Sequence, residues 1–339
     1  MTTDKKSQHP SARRLRSALA LAAKLAFSSI LVALILRKYN LHSIVIQVKG
    51  AHVPWLFAAG GIFALNTVLL GLRWSTLSLG LLTFSQAFRY TWVGLFFGAV
   101  IPGGISGDIA KGLSLAYSDT SLRTRLLPVS ILFDKIVGLS VLAVFFLLSL
   151  FASLRPELPI APPLHKALQL ALVIVLVAFT VGILGLLFLR TAAWKSIMKH
   201  FEQTRLGNIL DTIGSIPSIY RNRRRALFSA FTYSVVGHLG NAVGNWLILE
   251  SMGLHLGFTF AFILYSVLSV ATMIPISISG VGVRDIVSAG LFAVFGHASE
   301  AGVAFSWIVL SINIPMVAIG GALQGFELLS KHKHRLTGL

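Results

Sequence analysis

The feature that limits this chain most is a succession of apolar stretches, roughly 18 to 25 residues each, joined by short basic segments. A helix of about 20 residues crosses a ~30 Å hydrocarbon core, whereas the strands of a membrane barrel would alternate apolar and polar side chains. Composition agrees: 55% of the 339 residues are hydrophobic and only 12% charged, with a mean hydropathy of +0.81. The chain reads as an all-α integral membrane protein.

Two of the apolar stretches are interrupted. Pro102-Gly103-Gly104-Ile105-Ser106-Gly107 is followed by Asp108, and Pro-x-x-Ile-Ser-Gly returns once, at Pro275 to Gly280, with Asp285 beyond it. The offset is 173 residues, about half the chain. Proline and glycine in such runs mark broken helices, which in membrane transporters lie at binding sites. A second landmark repeats at an offset of 172: Arg73-Trp74 near one span end and Asn245-Trp246 near another. Two landmarks at nearly one offset predict an internal duplication.

The expected layout has full spans at 19–36, 53–72, 126–151, 167–189, 227–249 and 301–324. Each break joins a long arm, 84–101 or 258–274, to a shorter one that ends near 116 or 296. The arm from 105 to 116 covers only about 18 Å as a helix and should enter the membrane and return. Residues 1–18 form a basic N-terminus and 19–151 a first membrane repeat with its re-entrant segment at 84–116. Residues 152–226 hold the span 167–189, which begins the second repeat, and an amphipathic basic linker; 227–325 complete that repeat, with a re-entrant segment at 258–296, and 326–339 form a basic tail. Three crossings per half is an odd number, so the repeats are inverted.

The formal net charge of +18 resides in connecting segments beside the spans, so anionic lipid rather than nucleic acid is the expected partner. Eight Lys and Arg lie between 190 and 225, five in the N-terminus and three in the tail. The positive-inside rule then puts both termini on the cytoplasmic side of the cytoplasmic, or inner, membrane. The basic N-terminus before an apolar run mimics a signal peptide, but no small-x-small site follows, and it reads as a retained anchor. Arg73-Trp74 reads as an interfacial anchor, with Arg73 also counted among the candidate substrate-pathway residues.

Ionisable residues at membrane depth are costly and mark function. Here they are Lys24, Arg89, Lys111, Lys135 and Arg284 with Asp108, Asp134 and Asp285. Helices that begin inside the membrane at the two breaks expose unpaired N–H groups to an anion. Gly103, Gly104, Gly107, Gly280 and Gly282, with Ser106 and Ser279, would let a phosphate approach the backbone. Lys111 shares a helix face with Asp108, and Arg284 adjoins Asp285. Asp134 and Lys135 point about 100° apart on a helix and need partners elsewhere. His238, Asn241 and Asn245 make a polar stripe in an apolar span, fit for interhelical hydrogen bonds or a headgroup. The plainer reading of the charged residues is pairing within a kinked bundle.

Pro102 to Asp108 with Lys111, the pair Asp134-Lys135, and Pro275-x-Ser-x-Ser-Gly-x-Gly-x-Arg-Asp285 resemble the lysylphosphatidylglycerol synthase transmembrane family over residues 20–325. The resemblance implies movement of lipids between leaflets: anionic or aminoacylated phospholipids, or polyprenyl or hopanoid-type lipids. It implies no synthase activity in this chain, which has no soluble aminoacyl-transfer domain, and a separate lipid-modifying enzyme or a second copy as a possible partner. Two other readings stand beside it. An accessory scaffold of a lipid-biosynthetic complex would tolerate neutral substitution at the charged positions. A rhomboid-like intramembrane serine protease would use Ser106, in Gly104-Ile105-Ser106-Gly107, with His238. No cysteine, metal motif, Walker loop or dinucleotide fingerprint occurs, so no cofactor is expected.

Overall fold

A computed structural model describes residues 26–101, 106–118, 126–154, 166, 170, 214, 216, 218–273, 277 and 280–337. The described elements are helices: α1 (Ala26–Lys38), α2 (Leu41–Lys49), α3 (Val53–Leu77), α4 (Phe84–Val100), α5 (Ser106–Ser118), α6 (Leu126–Ser153), α7 (Arg224–Ser251), α8 (Gly257–Met273), α9 (Val283–Val294) and α10 (Ser299–Thr337). Local chemistry sets several starts. Pro54 opens α3, where its missing N–H costs nothing. A Thr83/Gln86 capping box opens α4, with Gln86 N–H on Thr83 Oγ1 at 3.3 Å and Thr83 N–H on Gln86 Oε1 at 3.0 Å.

By length and composition, α3, α6 and Ser299–Ser330 of α10 are each able to cross a membrane. The pair α1 and α2, bent by 95°, adds up to one more. The helix α2 falls where the sequence reading had only a connection; Asn40 caps it, its side chain accepting from His42 N–H at 3.0 Å. The expected span 227–249 is α7, whose 28 residues are long enough but less apolar, because Ser234, His238, Asn241 and Asn245 turn toward other helices. The span 167–189, most of the basic linker and the breaks themselves, 102–105 and 274–276, lie outside the described residues.

Both broken segments fold back on themselves. Gly94 and Gly98 of α4 meet Gly107 of α5 at backbone contact, and α8 meets α9 through Phe260 against Phe292 and Phe295 and through Thr272 against Gly280. With 13 and 12 residues, α5 and α9 are too short to cross. Gly280 (φ +73°) and Gly282 (φ +83°) take the left-handed conformation that a side chain resists, which places the second break where it is.

The halves exchange under the offset read from sequence, α3 with α7, α4 with α8, α5 with α9 and α6 with α10. Packing obeys it: α3 meets α7, α4 meets α10 as α8 meets α6, and each hairpin packs on itself. The central pair runs antiparallel. His52 N–H reaches Ser251 O at 2.7 Å at one end, Asn66 faces Gly237 midway, and Arg73 Nη1 reaches Ser234 Oγ at 3.0 Å toward the other. Equivalent helices pointing in opposite directions make the repeats inverted. Gly237, Gly240 and Gly244 let the two backbones close on Asn66, Ile62 and Phe63.

A side chain at Gly107 would fall on the Gly94 carbonyl. Gly107→Val is therefore expected to cost about 1–3 kcal/mol and to lower the thermal unfolding midpoint in detergent, whereas Gly290→Ala, which meets nothing within 4 Å, should leave it unchanged or raise it.

Candidate functional site

The first break carries an ionic chain, buried at Arg73, Asp134 and Lys111 and half-buried at Asp108 and Lys135. Arg73 Nε donates to Asp134 Oδ1 at 2.7 Å and Nη2 to Oδ2 at 3.1 Å, a bidentate pair between α3 and α6. Its third arm reaches Ser234 on α7. The guanidinium fits because position 138 is glycine: a Cβ there would stand 2.8 Å from Nη1. Lys111 Nζ lies 2.9 Å from Asp108 Oδ1, 3.6 Å from Asp134 Oδ2 and 4.5 Å from the Trp74 ring centroid. Lys135 Nζ closes the chain on Asp108 Oδ2 at 3.0 Å. Three cations and two carboxylates leave one positive charge over. Asp134 and Lys135, adjacent in sequence, turn to different partners as their angular separation requires.

Arg73 and Trp74 are thus no interfacial anchors. Both are buried, at 7% and 0% exposure, because the guanidinium finds a carboxylate and the indole N–H finds Ser130 Oγ at 3.3 Å.

The second break has diverged. Arg284 stands 173 positions after Lys111, at the motif's own offset, but the acidic partners have not been kept. Arg284 Nε donates to Ser306 Oγ at 3.1 Å. Asp285 is occupied by Gly282 N–H at 2.9 Å and by the Ser306 hydroxyl, so it caps α9. Among the described residues no carboxylate lies within 4 Å of the Arg284 guanidinium.

Arg284 opens instead on a cavity of about 300 Å³ between the repeats, lined also by Asn66, Asn241, Asn245, Asn313 and Thr272. A second cavity, about 240 Å³, is lined by Arg73, Lys135, Ser234 and His238 and shares Asn66, Leu70 and Asn241 with the first. His238 stands between helices: Nε2 faces Gly138 O at 3.2 Å and Nδ1 faces Tyr265 OH at 2.5 Å. A carbonyl only accepts, so Nε2 carries the hydrogen and Nδ1 of the neutral ring accepts from Tyr265. Asn241 Nδ2 reaches the same tyrosine at 3.4 Å.

The remaining expected site residues divide. Arg89 lies apart on α4, 3.3 Å from Glu327 of α10, which also accepts from Tyr90 OH. Gly107 is used for helix contact, Gly280 for the left-handed turn and Gly282 for that turn and the approach of Leu31. Gly103, Gly104 and Ser279 lie outside the described residues. Ser106 Oγ donates to Ile101 O at 2.7 Å, and both ring nitrogens of His238 are engaged elsewhere, so the serine–histidine pairing of the protease reading is not formed. Sequence reasoning missed Asn66, Ser234, Tyr265 and Ser306. Asn66 and Ser306 left a trace, standing 172 positions before His238 and 172 positions after Asp134.

Fold and site define a multi-pass helical membrane protein, an inverted repeat around an interior whose charged lining is cationic. The chain belongs to the lysylphosphatidylglycerol synthase TM region family, whose profile matches residues 21–321. That membership ties it to membrane lipids and agrees with the resemblance carried by the two Pro motifs. Neither the curated proteins nor the solved structures contain a match.

Removing one partner of a buried ion pair leaves the other uncompensated. Asp134→Ala is expected to lose about 3–5 kcal/mol, read as the shift in the unfolding midpoint in detergent. The double variant Arg73→Ala/Asp134→Ala should lose less than Asp134→Ala alone.

Proposed function

We propose that this protein moves an anionic phospholipid between the leaflets of the cytoplasmic membrane. The headgroup crosses through the interior between the repeats while the acyl chains stay in lipid. The observation that carries this reading is Arg284: a guanidinium facing a cavity of about 300 Å³ with no carboxylate in direct contact among the described residues, Asp285 reaching it only through the shared Ser306 hydroxyl. A charge at such depth costs about 2.5–3.5 kcal/mol on insertion scales, and a lipid phosphate supplies the missing anion, in a form that guanidinium binds well. The adjoining cavity offers Lys135 and Arg73 as the next cationic contacts. Neutral amides lie between the two cationic ends, so a phosphate is held at several places and trapped at none.

The charge distribution supports cytoplasmic termini. Without a nucleotide-binding motif in the chain, the energy comes from an ion gradient or from an enzyme that consumes the lipid on the far side.

The test is reconstitution in liposomes with a headgroup-labelled anionic phospholipid and measurement of leaflet exchange. Arg284→Ala is expected to slow exchange at least tenfold, and Arg37→Ala, in the exposed end of α1, to leave it unchanged. Equal exchange by wild type and Arg284→Ala at equal reconstitution would overturn the proposal in favour of a scaffold.

A further inference from the structure

Resting on that reading, we infer the headgroup class: a phosphate bearing uncharged hydroxyl groups, as in a glycerol headgroup, and not an aminoacylated headgroup. An aminoacyl ester carries an ammonium, which in a protein interior needs a carboxylate. Among the described residues the two charged sites hold three carboxylates, and each is taken. Asp134 holds Arg73 and Lys111, Asp108 holds Lys111 and Lys135, and Asp285 holds Gly282 N–H and Ser306. The charged residues lining the two cavities are Arg284 in one and Arg73 and Lys135 in the other, all cations. An ammonium would meet like charge at every step.

The neutral lining completes the assignment. Asn245 is 6% exposed and lines the larger cavity, yet its amide has no hydrogen-bond partner among the described residues; Asn66, half-buried on the same wall, has none either. Asn313 spends one N–H on Val309 O at 2.7 Å and keeps its carbonyl oxygen. A buried amide left alone is costly. A hydroxyl, which both donates and accepts, satisfies either end of it. One guanidinium for a phosphate and several amides for hydroxyls describe a headgroup with one negative charge and a polyol. The cavity, about 300 Å³, has room for a headgroup.

The test measures binding to the purified full chain in detergent by native mass spectrometry, using phosphatidylglycerol, lysylphosphatidylglycerol and phosphatidic acid with identical acyl chains. Phosphatidylglycerol is expected to bind at least tenfold more tightly than its lysyl ester. Asn245→Leu should lower phosphatidylglycerol binding about fivefold and leave phosphatidic acid unchanged, and Asn66→Ala gives the same readout should the first variant fold poorly. Lysylphosphatidylglycerol binding as tightly as phosphatidylglycerol would overturn the inference, as would equal losses for phosphatidic acid in both asparagine variants. Water-soluble glycerophosphoglycerol binding more tightly than the lipid would overturn the lipid as its source. Because binding is read without transport, a selective protein that exchanges no lipid sinks the transport reading alone, and one that exchanges lipid but prefers the lysyl ester sinks this inference alone.

Discussion

A charge held away from water must find its opposite, and in this protein Arg73 finds Asp134. Apolar attraction between helices is weak where the surroundings are themselves apolar, so contact between small residues and polar bonds decide which helices meet. The Arg73–Asp134 pair joins α3 to α6, its third arm adds α7, and Lys111 brings in α5 through the same carboxylate. The first hairpin is thus positioned by ions as much as by packing. Elsewhere small residues do the work: Gly320 and Gly321 of α10 let Trp92 and Phe96 of α4 approach at backbone distance.

The same constraint explains why the two halves differ in chemistry while agreeing in shape. One copy of the broken helix sets its cations against two carboxylates. The other keeps a guanidinium at the corresponding position and gives it a serine in place of a carboxylate. Symmetry in the backbone with asymmetry in the charges gives one half a network of carboxylates and cations and the other a guanidinium held by a hydroxyl, from a single repeated plan.

Much of the architecture was legible because bilayer thickness and helix rise leave few options. The expected starts at 53, 84 and 126 fall within a residue of the observed helices, and the offset between Pro102 and Pro275 relates the packing of the halves. The charged members of the site were legible too, since Asp108, Lys111, Asp134 and Arg284 stand out against apolar neighbours. What sequence did not carry was direction. It could not tell that Arg73 turns inward and Arg89 toward Glu327, because both lie near helix ends where either arrangement satisfies a charge. Nor could it single out Tyr265, a residue in an apolar run with no signature until another helix is laid against it; Asn66 and Ser306 were marked only by standing at the repeat offset from His238 and Asp134. The glycines misled for a related reason. Close approach to a ligand and close approach to a helix require the same missing Cβ, and at Gly107 the neighbour is Gly94.

The glycine seam between α3 and α7 has a mechanical consequence. Gly237, Gly240 and Gly244 leave room for Asn66, Ile62 and Phe63, so the central helices pack closely along one line. Any rotation of one half against the other about that line moves each group in proportion to its distance from it. Under such a rotation groups on the seam would move least, and groups on the hairpins α4/α5 and α8/α9, off that line, would move more. Arg284 rides on one hairpin and Lys111 on the other, so a tilt too small to disturb the fulcrum widens the space before one charged arm as it narrows the space before its counterpart.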